Sequence, residues 1–311
     1  MTMTAFKAFT ETQKKELRKT VFEGDHNLDQ SPCFSDEGLI EILDSHPRDM
    51  IDVYTMGDDP QTSLDFRRGD LGDMSGAAIL EAVKRGKLWV NVREFQYATA
   101  ACMDIYKSLE TELKAATPDF RNGSQKMKLL ISSPKAHVAY HADTKDQFLI
   151  QVRGQKRIWL YPNTLPYVRD AEIEGIVLGE QAEEMSYNPV YDQSSTEILL
   201  QPGKYVTWPQ YSPHRIVNED CLNISLTCEY LTHASQVRTG AVYFNGLMRR
   251  RFGLSAHTPA RATASAHVKW ALGRAVRPVL GGSIEQNKTP ICFKVDLNAP
   301  RCVLEGEQAA E

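Results

Sequence analysis

Hydrophobic positions recur with two different periods along this chain, and the change of period divides it. Upstream of about residue 122 they fall at helical spacing. Leu39, Ile42 and Leu43 share one face of a helix for which Ser35 offers an N-cap. Ser75 offers a second cap, for a helix running to Arg85 with Gly86 as its stop. Ala101, Ile105, Leu109 and Leu113 repeat every fourth residue and predict a third helix from about Tyr97 to Ala115. Between those two helices, Lys87 to Val92 reads as a strand entering the core. Thr10 to Lys19 is densely charged and reads as a helix and lead-in, with a polar loop later at Gly57-Asp58-Asp59-Pro60.

From about Gly123 the pattern shortens to strands. Phe148 to Val152 is an apolar run, Arg153-Gly154-Gln155 is a turn signal, and Lys156 to Tyr161 is a second run stopped by Pro162. The three together predict a hairpin. Pro202-Gly203 turns into Lys204 to Trp208, and Leu222 to Tyr230 forms another strand. In that last strand Leu222, Ile224 and Leu226 alternate with Asn223, Ser225 and Thr227, so one face is apolar and one polar. The polar face lines an internal pocket or meets water. Residues 163–194 form an acidic insert, a solvated loop or helix face that is also the candidate lid. After Tyr230 the helical period returns over Val237 to Leu254 and again over Ala262 to Val279. Arg249-Arg250-Arg251 reads as a solvated helix end. The division expected is therefore a helical region with an entering strand (1–122), a strand-rich core (123–232) and a helical C-terminal region (233–311).

The candidate chemistry lies in the strand-rich part. Side chains two apart on an extended strand share a face, so His141 and Asp143 present an imidazole and a carboxylate together. Gln147 falls on the same parity. One remote histidine, His214 in Pro213-His214, completes a set of two histidines and one carboxylate. Such a set holds Fe(II) on one face and leaves positions open for a co-substrate and oxygen.

These segments resemble the JmjC/cupin-like iron and 2-oxoglutarate oxygenases, in particular the bacterial cupin-like proteins and the asparaginyl hydroxylase type. The resemblance runs from about Lys128 to Tyr230. It rests on Leu130-Ile-Ser-Ser-Pro134, His141-x-Asp143, Gln151-Val-Arg-Gly154-x-Lys156-Arg157 and Pro202-Gly203 leading through Pro209 to Pro213-His214. It implies a mainly β fold with flanking helices, a double-stranded β-helix (jelly roll). It also implies hydroxylation of a substrate C–H with 2-oxoglutarate and O2 consumed and succinate and carbon dioxide released. His141, Asp143 and His214 match the catalytic iron ligands, and Lys156 matches the lysine that pairs with the distal carboxylate of 2-oxoglutarate. Gln147 falls where relatives place an amide near the co-substrate. One departure stands out. Relatives often carry Thr-Pro shortly before the first ligand, where this chain has Val138-Ala139, and Tyr140, His137 and Ser225 are the alternatives for the missing contact. C-terminal helices of this kind often pair subunits in relatives, which implies a homodimer.

Composition narrows the readings further. The 311 residues are 42% hydrophobic and 24% charged with a net charge of −4, so nothing favours a nucleic-acid partner. No apolar run approaches the ~20 residues of a membrane span. Six scattered cysteines without a CxxC pair fit free thiols, and cytoplasmic localisation is expected. Two other readings stand beside the oxygenase: a metal-binding cupin acting without 2-oxoglutarate as a dioxygenase or isomerase, and a non-catalytic interaction protein. The substrate, a protein side chain or a small molecule, is not legible.

Overall fold

The turn at Gly154 does not close a hairpin; it carries the chain from one sheet to the other. In this computed structural model, which describes residues 4–62, 65–280 and 290–305, the same crossing recurs along the strand-rich part. The chain begins with α1 (Glu11–Glu16), β1 (Phe22–Asp25), α2 (Asp36–Ser45), β2 (Ile51–Thr55), β3 (Arg67–Asp70), α3 (Gly76–Arg85), β4 (Leu88–Arg93) and α4 (Ala100–Ala116). Strands β5 (Lys126–Ser132), β6 (His137–His141), β7 (Asp146–Arg153) and β8 (Lys156–Leu160) follow. After α5 (Asp170–Leu178) come β9 (Thr196–Leu200), β10 (Lys204–Trp208), β11 (His214–Asn218) and β12 (Asn223–Tyr230). The chain closes with α6 (His233–Phe252), α7 (Ala264–Leu280), β13 (Ile291–Val295) and β14 (Val303–Glu305).

Four strands in the order β5-β12-β7-β10 belong to the larger sheet, and β6-β11-β8-β9 form the smaller one. Residues of both sheets line one shared cavity, so the eight strands make a double-stranded β-helix. Gly154 permits the crossing after β7. Its φ is +72°, and a Cβ there would sit 2.1 Å from the Leu222 carbonyl oxygen. Gly203, at φ +81°, serves the crossing from β9 to β10.

The larger sheet extends well beyond the β-helix. β4, β2, β3, β13 and β14 continue it on one side, and β1 adds to β10 on the other, giving ten strands. It therefore runs through all three of the segments that the sequence pattern separates, and the C-terminal segment contributes strands as well as helices. Strand β7 shows how the layers pack. Phe148, Ile150 and Val152 point into the main core with Phe6, Tyr205 and Tyr230, while Gln147 and Leu149 point into the cavity. β4 divides likewise, with Leu88, Val90 and Val92 buried and Trp89 and Asn91 in the cavity wall. The helices follow the sequence pattern closely: Ser35, Ser75 and Thr99 each accept a backbone N–H at a helix start. Among the described residues no helix is long and apolar enough to cross a membrane.

Candidate metal centre

His141 ends β6 and His214 begins β11, and in the antiparallel ladder the two residues face each other directly. Their ring centroids are 4.1 Å apart. Asp143 does not share the β6 strand, as the parity reading expects. It stands in the turn between β6 and β7, from which its Oδ2 comes within 3.3 Å of His214 Nε2. One donor atom from each residue lies within 4.8 Å of the others. Convergence thus comes from a cross-strand pair and a turn.

The surroundings orient each donor. His141 Nδ1 lies 2.8 Å from the Ala139 carbonyl, and His214 Nδ1 lies 3.2 Å from the Ser212 carbonyl. A proton on each Nδ1 satisfies those carbonyls and leaves each Nε2 lone pair for the centre. Trp208 packs against His214 at a centroid distance of 4.5 Å. Burial, then the neighbouring His141, holds the His214 imidazole well below its ordinary pKa, so it is neutral as a ligand must be. Burial pushes the Asp143 carboxyl well up, and Glu183 and Glu229 push in the same direction. A carboxylate in that position is disfavoured unless a cation joins it. Two imidazoles and such a carboxylate fit a divalent metal.

Gln147 stands across the cavity on β7, and its amide Nε2 donates to Asp143 Oδ2. Its contact is thus with the carboxylate of the three-donor set. The backbone N–H of Tyr211 donates to the Asp143 carbonyl at 3.2 Å. Tyr211 is buried at a φ of +67°, a region few non-glycine residues adopt.

Between the sheets lies a cavity of about 130 Å³ whose wall includes all three donors and Lys156. Lys156 is 3% exposed, and among the described residues its ammonium has no ion pair or hydrogen bond. Burial brings its pKa down to about 7. In the same wall, Asn91 Oδ1 and Thr227 Oγ1 are buried with no hydrogen-bond partner among the described residues. Glu229 is mostly shielded between Lys128 and Lys145; desolvation opposes its charge, but the two ammoniums prevail and hold it at about 2.

Two expected co-substrate contacts are not brought to this cavity. Tyr140 points under the insert, its hydroxyl donating to the Tyr167 carbonyl at 2.7 Å and its ring against Tyr161. Ser225 donates to Gln151 Oε1 at 2.7 Å, in a buried amide cluster with Asn223. The polar face of β12 is split: Thr227 and Glu229 reach the cavity, and Ser225 is spent on packing. His137 does line the cavity, and burial, then Lys87, lowers its pKa to about 4. Glu183, Asn91, Lys128 and Glu229 escape the sequence reading. Only the alternation of polar and apolar residues along β12 signals Glu229.

The insert adds Glu183, which lines the cavity beside His141. Its carbonyl accepts the Ala142 N–H at 3.2 Å, and the Met185 N–H donates to the Tyr140 carbonyl at 3.0 Å. A piece of the insert is therefore paired along β6 next to the centre.

Residues 119–236 match the model of the JmjC domain family. Its fold is similar to an X-ray structure of E. coli ycfD, with 14% identity, 88% of this chain and 68% of that one covered, and a TM-score of 0.50. A crystal structure of Escherichia coli ribosomal oxygenase YcfD aligns at 13% identity over 94% and 76% of the two chains, with a TM-score of 0.49. A structure of YcfD in complex with cobalt and 2-oxoglutarate aligns at 15% identity over 87% and 67%, with a TM-score of 0.46. No curated protein sequence matches the chain.

Proposed function

We propose that this chain is an Fe(II)- and 2-oxoglutarate-dependent oxygenase that hydroxylates a C–H bond of its substrate. The observation that carries the reading is Lys156, whose buried ammonium has no ion-pair partner among the described residues and which lines the same cavity as a three-donor metal site. In the β8–β11 ladder Lys156 pairs with Asn218, while Leu160 pairs with His214. Lys156 is thus four residues along the strand from the donors, about 13 Å at a rise of 3.3 Å per residue. A lysine stem and a five-carbon diacid together bridge such a gap.

His141, Asp143 and His214 would hold the metal from one side, with Gln147 fixing the carboxylate. Lys156 binds the distal carboxylate, and the free oxygens of Asn91 and Thr227 offer contacts in place of the missing Thr-Pro threonine. When bound, iron with 2-oxoglutarate supplies the oxidising chemistry, coupling decarboxylation to hydroxylation. The protein places the reactants and excludes water. The insert covers the cavity at Glu183, so it is the segment that would meet substrate.

Anaerobic titration of Fe(II)-loaded protein with 2-oxoglutarate is the direct test. A weak visible charge-transfer band and, on admitting oxygen, succinate are expected. Asp143→Ala should weaken metal binding by at least about 100-fold, and Lys156→Gln should raise the 2-oxoglutarate requirement while retaining metal. Full metal binding in Asp143→Ala, or a wild-type protein that loads iron yet forms neither band nor succinate, would overturn the assignment.

A further inference from the structure

A second cavity, of about 330 Å³, lies between the start of α5, α6 and the segment that follows α6. Its wall contains Arg238, which is 8% exposed. Arg238 Nε donates to the Pro259 carbonyl at 3.0 Å, and its guanidinium sits 5.2 Å from the centre of the Tyr211 ring. Among the described residues no carboxylate reaches ion-pair distance of it. The one carboxylate among the described residues of the wall, Asp170, is already engaged: Oδ1 accepts the Thr258 N–H at 2.8 Å, and Oδ2 lies 2.9 Å from His257 Nδ1. Arg169 adds a second guanidinium to the lining. The contrast with Lys156 matters. A buried amine can shed its proton, but a guanidinium stays charged in a protein. Arg238 therefore keeps its charge in a sheltered space with no carboxylate paired to it among the described residues; Asp146 acts on it only from beyond ion-pair distance.

We propose that this cavity binds a small organic anion, whose carboxylate or phosphate group is taken by Arg238. The planar fork of terminal N–H groups matches either oxyanion. Val168 and Ile173 supply an apolar wall for the rest of the molecule. The site is separate from the cavity of Lys156, and the two share no lining residue.

Isothermal titration of the full chain with inorganic phosphate and, separately, with benzoate tests this. Because Lys156 also attracts anions, the measurement is made on Lys156→Gln, with Arg238→Gln and Arg238→Lys added to it. Saturable binding of at least one probe is expected in Lys156→Gln. Both Arg238 substitutions should weaken it at least tenfold, the lysine because one ammonium cannot fork. Preference for phosphate over benzoate, or the reverse, identifies the anionic group. If Arg238→Gln fails to fold, judged by circular dichroism, Arg238→Lys answers the same question. No saturable binding of either probe to Lys156→Gln, or an unchanged affinity in the Arg238 variants, overturns the proposal.

Discussion

A buried ammonium with no partner works against folding, and Lys156 makes that cost measurable. Its pKa is about 7 in the folded chain against an ordinary value of 10.5. A drop of that size corresponds to about 5 kcal/mol of preference for the neutral amine. Between these two values the unfolded chain binds more protons than the folded one, so stability rises with pH through that window. The expected outcome in denaturant titrations of ligand-free protein from pH 6.5 to 9.5 is a rising stability that Lys156→Met flattens. Identical pH slopes in the two proteins would show that the amine finds compensation. Gln147 gives a second prediction at this scale. Its amide donates to Asp143, so Gln147→Ala should lower metal affinity about tenfold without removing a ligand. Equilibrium dialysis against Fe(II) or a redox-stable substitute checks it.

Among the elements, two of the devices that hold the insert between β8 and β9 lie close to the cavity or at its helix. One is the short pairing of residues 183–185 with β6. The other joins α5 to α6: Glu174 is buried and takes Arg249 and Arg250, while Glu180 takes Arg250 as well. The basic run at the end of α6 is thus not simply solvated; two of its three arginines anchor the insert. Met185→Pro removes the N–H that binds the Tyr140 carbonyl. Loss of one such bond costs about 1 kcal/mol, small for the molecule but large for a local segment. Hydrogen–deuterium exchange should accelerate over residues 182–186 while β7 and β12 stay protected. Unchanged exchange there would mean that the insert's other anchors suffice without this bond.

At the scale of the whole molecule, the ten-stranded sheet makes the flanks part of the β-helix. Strand β1 covers the outer edge of β10, pairing Phe22 with Thr207 through Asp25 with Lys204. Phe6 packs on Phe148 and Tyr205 at centroid distances of 5.2 and 4.9 Å. Removing residues up to 27 therefore uncovers an edge strand and the aromatic cluster beneath it. Burial of one such side chain contributes about 1.5–3 kcal/mol, and a bared edge invites pairing between chains. The truncated protein should unfold at lower denaturant and associate at micromolar concentration by light scattering. A monomer of unchanged stability would show that the first strand is dispensable.

The features legible in the chain are local ones. Helices α2, α3 and α4 are legible because a cap and a four-residue repeat act within one element. His141, Asp143, His214 and Lys156 are legible because their side-chain chemistry is distinctive in any setting. Which sheet each strand joins emerges only in the folded molecule. Folding placed Asp143 in a turn, turned the expected hairpin at Gly154 into a crossing, and made strands of polar segments such as Arg67–Asp70 that carry no alternation of their own. It also sent Tyr140 and Ser225 away from the cavity and brought Glu183, Asn91 and Glu229 to it. The physical reason is range: caps and periodicity draw on neighbours in the chain, whereas strand partners and pocket walls depend on contacts between residues far apart in it.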